Sequence, residues 1–164
     1  MQDRLDKIDI KILNILQLNS KITNLELSKK IGLSPAPTLE RVKKLEQLGV
    51  IESYHAKVNP LKVDLSISTF VLVNVAWHKP KALESFIEKV KNIPEVIECF
   101  VITGDADILM KVVCKDIHAY EKLLFKKLSQ IEEVERLKTL MNLSTIKKNT
   151  VLPIDPTQVK DGIS

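Results

Sequence analysis

A chain of 164 residues, 45% hydrophobic and 28% charged, has the composition of an ordinary folded protein and the length of one domain or two small ones. No apolar run approaches the ~18 residues of a membrane helix, and the charged start Met1-Gln2-Asp3-Arg4-Leu5-Asp6 reads against a secretory signal. The net charge of +4 leans to the N-terminal side, with ten Lys and Arg against seven Asp and Glu in residues 1–60 and 15 against 14 thereafter, a balance that permits nucleic-acid binding without requiring it.

In chain order, Leu5, Ile8, Ile12, Leu13, Ile15 and Leu16 recur at helical spacing, with Asp3 or Asp6 placed to cap the start. Thr23-Asn24-Leu25-Glu26 has the form of a capping box and opens a short second helix through Leu25, Leu27 and Ile31; Gly32 ends it. Ser34-Pro35 then starts a third helix, with serine at N-cap and proline at N1. That helix runs through Leu39, Val42, Leu45 and Leu48 to Gly49. The short turn around Gly32 is helix-turn-helix spacing.

At 100° per residue, Leu39, Val42 and Leu45 of the third helix gather on one side and Ser34, Pro37, Arg41 and Lys44 on the other, with Thr38 and Glu40 flanking. A basic face that is polar near its N-terminus suits a recognition helix. Arg41 is the expected reader of guanine or a phosphate, Lys44 the expected phosphate contact, and Pro35 sits at the helix N-terminus, whose free N–H groups attract phosphate. Residues 50–58 alternate with β-branched and aromatic side chains and predict a wing of two short strands, with Lys57 near the DNA backbone; Asn59-Pro60 closes it.

These residues carry a specific resemblance. Leu5-Asp6-x-x-Asp9-x-x-Ile12-Leu13, Glu26-Leu27-Ser28, Gly32-Leu33-Ser34-Pro35, Leu39-Glu40-Arg41-Val42-x-x-Leu45-Glu46-x-x-Gly49-Val50-Ile51, Tyr54-x-Ala56 and Asn59-Pro60 resemble the DNA-binding domain of the leucine-responsive/AsnC regulators over nearly all of residues 4–60. The resemblance implies a transcriptional regulator that binds double-stranded DNA in the cytoplasm.

After a short linker the period changes. Ser66 to Trp77 predicts a strand, and Pro80 opens a helix with Leu83, Phe86, Ile87 and Val90 at i, i+3, i+4 and i+7. Val96–Ile102 and Asp107–Cys114 predict strands around a turn at Thr103-Gly104-Asp105. Asp116 caps a second helix with Ile117, Tyr120, Leu123, Leu124 and Leu128 inward, and Val134–Leu143 is a last strand. The order βαββαβ predicts a ferredoxin-like α+β domain, with both helices on one face of an antiparallel sheet. Both sides of the first strand are apolar, as are both sides of the second, so the uncovered face predicts dimerisation sheet to sheet. The expected organisation is therefore α+β: residues 1–60 a winged helix-turn-helix, 61–66 a linker, 67–145 a ferredoxin-like domain and 146–164 a tail. Val151–Ile154 of the tail is expected at a sheet edge, with disorder from about Pro156.

This second region is similar to the effector domain of the same family through Thr103-Gly104-Asp105-Ala106-Asp107 and Arg136-x-x-Thr139. The resemblance implies dimers assembled to an octamer, and an amino acid or related metabolite held between dimers by Gly104, Asp105, Ala106, Asp107 and Thr139. On that reading, amides around Gly104 hold the effector carboxylate and Asp105 or Asp107 its ammonium; the alternative is a tight turn with solvated acids. Ala106 and Leu137 depart from the larger residue and the second threonine frequent in the family. They imply a roomier, less polar pocket for an apolar amino acid, or none.

Cys99 and Cys114 lie far apart in apolar runs and are expected as buried, reduced thiols, with no metal site. The three histidines, His55, His78 and His118, stand in no metal or triad spacing, and four glycines leave no phosphate loop, so no catalytic residue, cofactor or enzyme activity is expected. The alternatives are an architectural DNA-compacting protein and, sharing the family's architecture, a sirohaem decarboxylase.

Overall fold

The computed structural model describes residues 5–156. They form two compact units. One holds the chain as far as Lys57 together with the segment from Lys147 onward; the other runs from Val58 to Ile146.

The first unit is built on three helices, α1 (Lys7–Leu18), α2 (Asn24–Ile31) and α3 (Pro35–Gln47). Each begins where local chemistry dictates. The Asp6 carboxylate accepts from the amides of Ile8 and Asp9 at 2.8 Å each, and the Asp9 carboxylate accepts from the Asp6 amide at 3.0 Å. Such a reciprocal cap contributes about 1 kcal/mol. Asp3, the other candidate cap, lies outside the described residues. Thr23 and Glu26 form the same device at α2, and Gly32 leaves that helix at φ 78°. Ser34 stands at the N-cap of α3, but its hydroxyl makes no capping bond; Pro35 at N1 sets the start. Ile10, Ile12, Leu13, Leu27, Ile31 and Leu45 form the core.

Two expectations fail here. Residues 50–58 form no strand, so the wing is not a hairpin. Tyr54 donates its hydroxyl to Glu46 at 2.8 Å, and Ser53 pairs with His55 at 2.7 Å. The segment contains no glycine, asparagine or aspartate to reverse the chain tightly, so its alternating pattern has no second strand to meet. The tail does not join a sheet edge either. The Gln17 side chain of α1 donates to the Leu152 carbonyl at 3.3 Å and accepts from the Leu152 amide at 2.6 Å. Asn14 donates to the Ile154 carbonyl at 3.1 Å, and Ile154 packs against the helical core. Two side-chain amides thus supply the backbone partners a strand would have given.

The second unit is a four-stranded sheet of β1 (Ile67–Val75), β2 (Val96–Val101), β3 (Ile108–Cys114) and β4 (Val134–Met141), in the order β2-β3-β1-β4 with every neighbour antiparallel. Helices α4 (Ala82–Lys91) and α5 (Ile117–Lys126) bury Phe86, Val90, Tyr120 and Leu123 against Val71, Val73, Val75, Ile108, Met110 and Val112. This is the ferredoxin-like order. Ile117, expected inward, is exposed at the first turn of α5. Cys114 is buried, but Cys99, expected buried, is exposed because β2 is an edge strand.

The alternate residues of the strands fall on the face without helices. Leu72 lies opposite Leu109 and Lys138, Phe70 opposite Leu140 and Lys111, and Phe100 opposite Leu109. Phe100 and Leu140 are exposed there. The expected apolar patch exists, crossed by an ion pair between Lys111 and Glu98. Among the described residues no helix is long and apolar enough to cross a membrane.

Candidate DNA interface and effector site

Three residues, Gly32 to Ser34, separate α2 from α3, and α3 carries the expected surface but not at the expected rotation. Thr38 and Leu45 are the side chains it buries fully, at 0% and 1% exposure. Leu39, expected inside, is 42% exposed, and Thr38, expected to flank the outer face, is inside with its hydroxyl on the Ser34 carbonyl at 2.9 Å. The inward direction is therefore turned by about 50° from the leucine-weighted one, at 100° per residue. Thr38 is tolerated in the core because its hydroxyl is satisfied by the Ser34 carbonyl.

Arg41 moves inward with that rotation. Its Nη1 donates to Asp6 Oδ2 at 2.6 Å and to Asp9 Oδ1 at 2.7 Å, across from α3 to the capping box of α1. Burial pushes the Asp6 carboxyl up, but the Asp9 amide and the Arg41 guanidinium outweigh it and hold the group below its ordinary value. For Arg41, burial favours the neutral form, and the two carboxylates overcome it and raise the guanidinium further. The reader of bases expected from the sequence is thus tied to its own protein. Ser34, Pro35, Pro37, Lys44 and Lys57 are exposed. Lys43, which the sequence reading passed over, is exposed on α3 beside Glu40, with Nζ to Oε1 at 3.6 Å. The signal for it was present in the spacing and was lost with the misjudged rotation.

In the second unit Gly104 adopts φ 123°, a conformation that favours glycine, and the exposed turn sets Asp105 beside β1, where Asn74 donates to the Asp105 carbonyl at 3.0 Å. The amides of Thr103, Gly104 and Asp105 make no backbone hydrogen bond among the described residues. Asp107 is otherwise engaged: its carboxylate accepts from the Val75 amide at 2.9 Å and its amide donates to the Val73 carbonyl at 3.0 Å. Ala106 is buried. Thr139 is hydrogen-bonded to the Tyr120 hydroxyl at 2.5 Å on the helix-covered side, above a groove of about 350 Å³ that Leu124, Phe125 and Leu137 also line.

The five effector candidates are therefore not one constellation within the chain. Asp105 alone of the five meets Asn74, Glu135 and Arg136 around a recess of about 430 Å³, with Gly104 next to it in the chain, whereas Thr139 belongs to the separate groove. Asn74, Glu135 and Arg136 were not among the sequence candidates. Asn74 is recognisable only from the register, which sets it opposite Arg136. Glu135 comes to the recess and to the groove alike because β4 is irregular at this point, where its register against β1 shifts.

Comparison with known proteins matches the same two regions. The winged helix-turn-helix DNA-binding model matches residues 5–52 and the Lrp/AsnC ligand binding domain model residues 68–152. The leucine-responsive regulatory protein of Haemophilus influenzae is 42% identical over 148 residues, 90% of this chain and 89% of that one. That of Escherichia coli K12 is 40% identical over 150 residues, 92% of each. Among solved structures, a Neisseria meningitidis transcriptional regulator in complex with L-Met superposes with a TM-score of 0.88 at 38% identity, covering 91% of this chain and 96% of that one. The E. coli AsnC structure gives 0.83 at 29% identity, covering 90% and 97%. With a helix-turn-helix at one end, a ferredoxin-like ligand-binding fold at the other and relatives that share both over nine-tenths of the chain, this protein belongs to the Lrp/AsnC family of transcriptional regulators.

Proposed function

We propose that this regulator binds defined DNA sites in the cytoplasm and that a free amino acid modulates the binding. The observation that carries the effector reading is the recess lined by two acidic residues, Asp105 and Glu135, together with the basic Arg136 and the amide-bearing Asn74. A zwitterion needs one anionic and one cationic contact, and a recess with both suits it better than one with either alone. Gly104 adds amides for the carboxylate; Ala106 and Asp107 shape the turn; Thr139 and the apolar groove beneath it suit a side chain without charge. The L-Met complex of the Neisseria relative supports the same class of ligand.

On this reading the exposed Ser34, Pro35, Pro37 and Lys44 of the recognition helix, with Lys57 beyond it, contact the duplex. Dimers form through the uncovered sheet faces and assemble to an octamer, with the effector between dimers. Effector binding acts by favouring one assembly over another, which changes how several recognition helices engage DNA together. Calorimetric titration with the full set of amino acids should give saturable binding for a small apolar subset. Arg136→Ala should weaken it at least tenfold while operator binding without effector persists. Silence across the set would sink the sensor reading.

A further inference from the structure

The outer face of α3 is not the one its arginine suggested. Thr38 and Leu45 mark the buried side, and the residues opposite them are Ala36, Glu40, Lys43 and Gln47, at i, i+4, i+7 and i+11. All four are exposed. Arg41 gives two short charge-assisted bonds to Asp6 and Asp9, at 2.6 and 2.7 Å, and its side chain is 32% exposed. Reaching a base would break both bonds and leave two carboxylates close to the duplex phosphates, where they are repelled.

We propose that Arg41 is a positioning residue that sets the rotation of α3, and that base specificity is carried by Glu40 and Lys43. The assignment rests on the DNA-binding reading and concerns which face does the reading. The two side chains present an acceptor and a donor together, Lys43 Nζ and Glu40 Oε1 being 3.6 Å apart. The major-groove edge of one base pair offers the complement: cytosine N4 donates, and guanine O6 and N7, on the same pair, accept. Glu40 accepts from the cytosine and Lys43 donates to the guanine, so the two side chains read one C·G base pair. Ala36, nearer the helix N-terminus, has the size and apolarity to meet a thymine methyl.

Selection from a random duplex library with the full-length protein, followed by affinity measurements over a salt series, tests the assignment. The wild type should enrich a site with a fixed C·G pair in each half. Glu40→Gln should lose at least tenfold of the preference for cytosine at that position, and Lys43→Gln should lose the guanine preference there. Arg41→Ala and Arg41→Lys should weaken all sequences together, leaving the base profile and the salt slope of the wild type. A relaxed preference at one position in the Arg41 variants, with Glu40→Gln unchanged in profile, would overturn this assignment alone. Should Arg41→Ala fail to fold, the exposed-site variants Glu40→Gln and Lys43→Gln still decide it. A wild-type chain that enriched no sequence would overturn the regulator reading itself.

Discussion

Charged side chains in this protein hold its elements together where they touch. Arg41 joins α3 to the capping box of α1, and Glu133 does the equivalent in the second unit. It is buried, accepts from the Lys89 ammonium at 2.8 and 2.7 Å and from the Ser85 hydroxyl at 2.7 Å, and ties the start of β4 to α4. Those bonds hold its carboxyl at about 2, against an ordinary value near 4.5. The folded form therefore binds fewer protons than the unfolded chain between those two values. The contribution is complete above about pH 4.5 and declines as the pH falls toward 2. Melting temperatures measured from pH 6 to pH 2.5 should fall in acid, and Glu133→Gln should flatten part of that fall while lowering stability at pH 6. An unaltered acid slope would show that the clamp contributes nothing.

At the scale of elements, helices α1 and α2 start where their capping boxes sit, and the elements that went astray lacked such a local signal. The stretch from Val50 to Val58 has strand-like side chains and no turn to fold it on itself. The segment around Leu152 has the same character and finds its partners on α1. Asn14 and Gln17 hold it there, with Ile154 against the helical core. The segment is thereby part of the DNA-binding unit although it follows the sheet in the chain. Removing residues from 150 onward should destabilise that unit by roughly 2–4 kcal/mol, the scale of three hydrogen bonds and one partly buried isoleucine, and replacing Gln17 by Ala by roughly 1–2 kcal/mol, the scale of its two hydrogen bonds. Limited proteolysis should then cut within α1 to α3 faster than in the ferredoxin-like unit. Equal rates with and without the segment would contradict this docking role.

The whole molecule presents a sheet with helices on one face and Phe70, Leu72, Phe100, Leu109 and Leu140 on the other. Every ~100 Å² of such surface removed from water is worth about 2.5 kcal/mol before the costs of association. Two-fold dimers of helix-turn-helix proteins in general bind half-sites one helical turn apart. Placing a carboxylate in the patch, as Phe100→Glu with Leu72→Glu, should shift the sedimentation mass to that of one chain at micromolar concentration and abolish tight operator binding. A double variant that retained its oligomeric mass would place the interface elsewhere.

Neighbours in the chain were enough to encode the caps at Thr23 and Asp116, an aspartate cap at α1 left open between Asp3 and Asp6, the glycine exit at Gly32, the order βαββαβ and the two apolar sides of β1. These follow from hydrogen bonds and periodicities that span a few residues. Tertiary structure alone decided the rotation of α3, because Thr38 or Leu39 facing the core depends on what α1 and α2 offer, and with it the pairing of Arg41 to Asp6 and Asp9. It also decided the meeting of Asn74 with Arg136 through strand register, the separation of Thr139 from the Gly104 turn by the thickness of the sheet, and the docking of Leu152 and Ile154. Contacts between residues distant in sequence form only once the whole core has chosen its packing, and no local pattern encodes them.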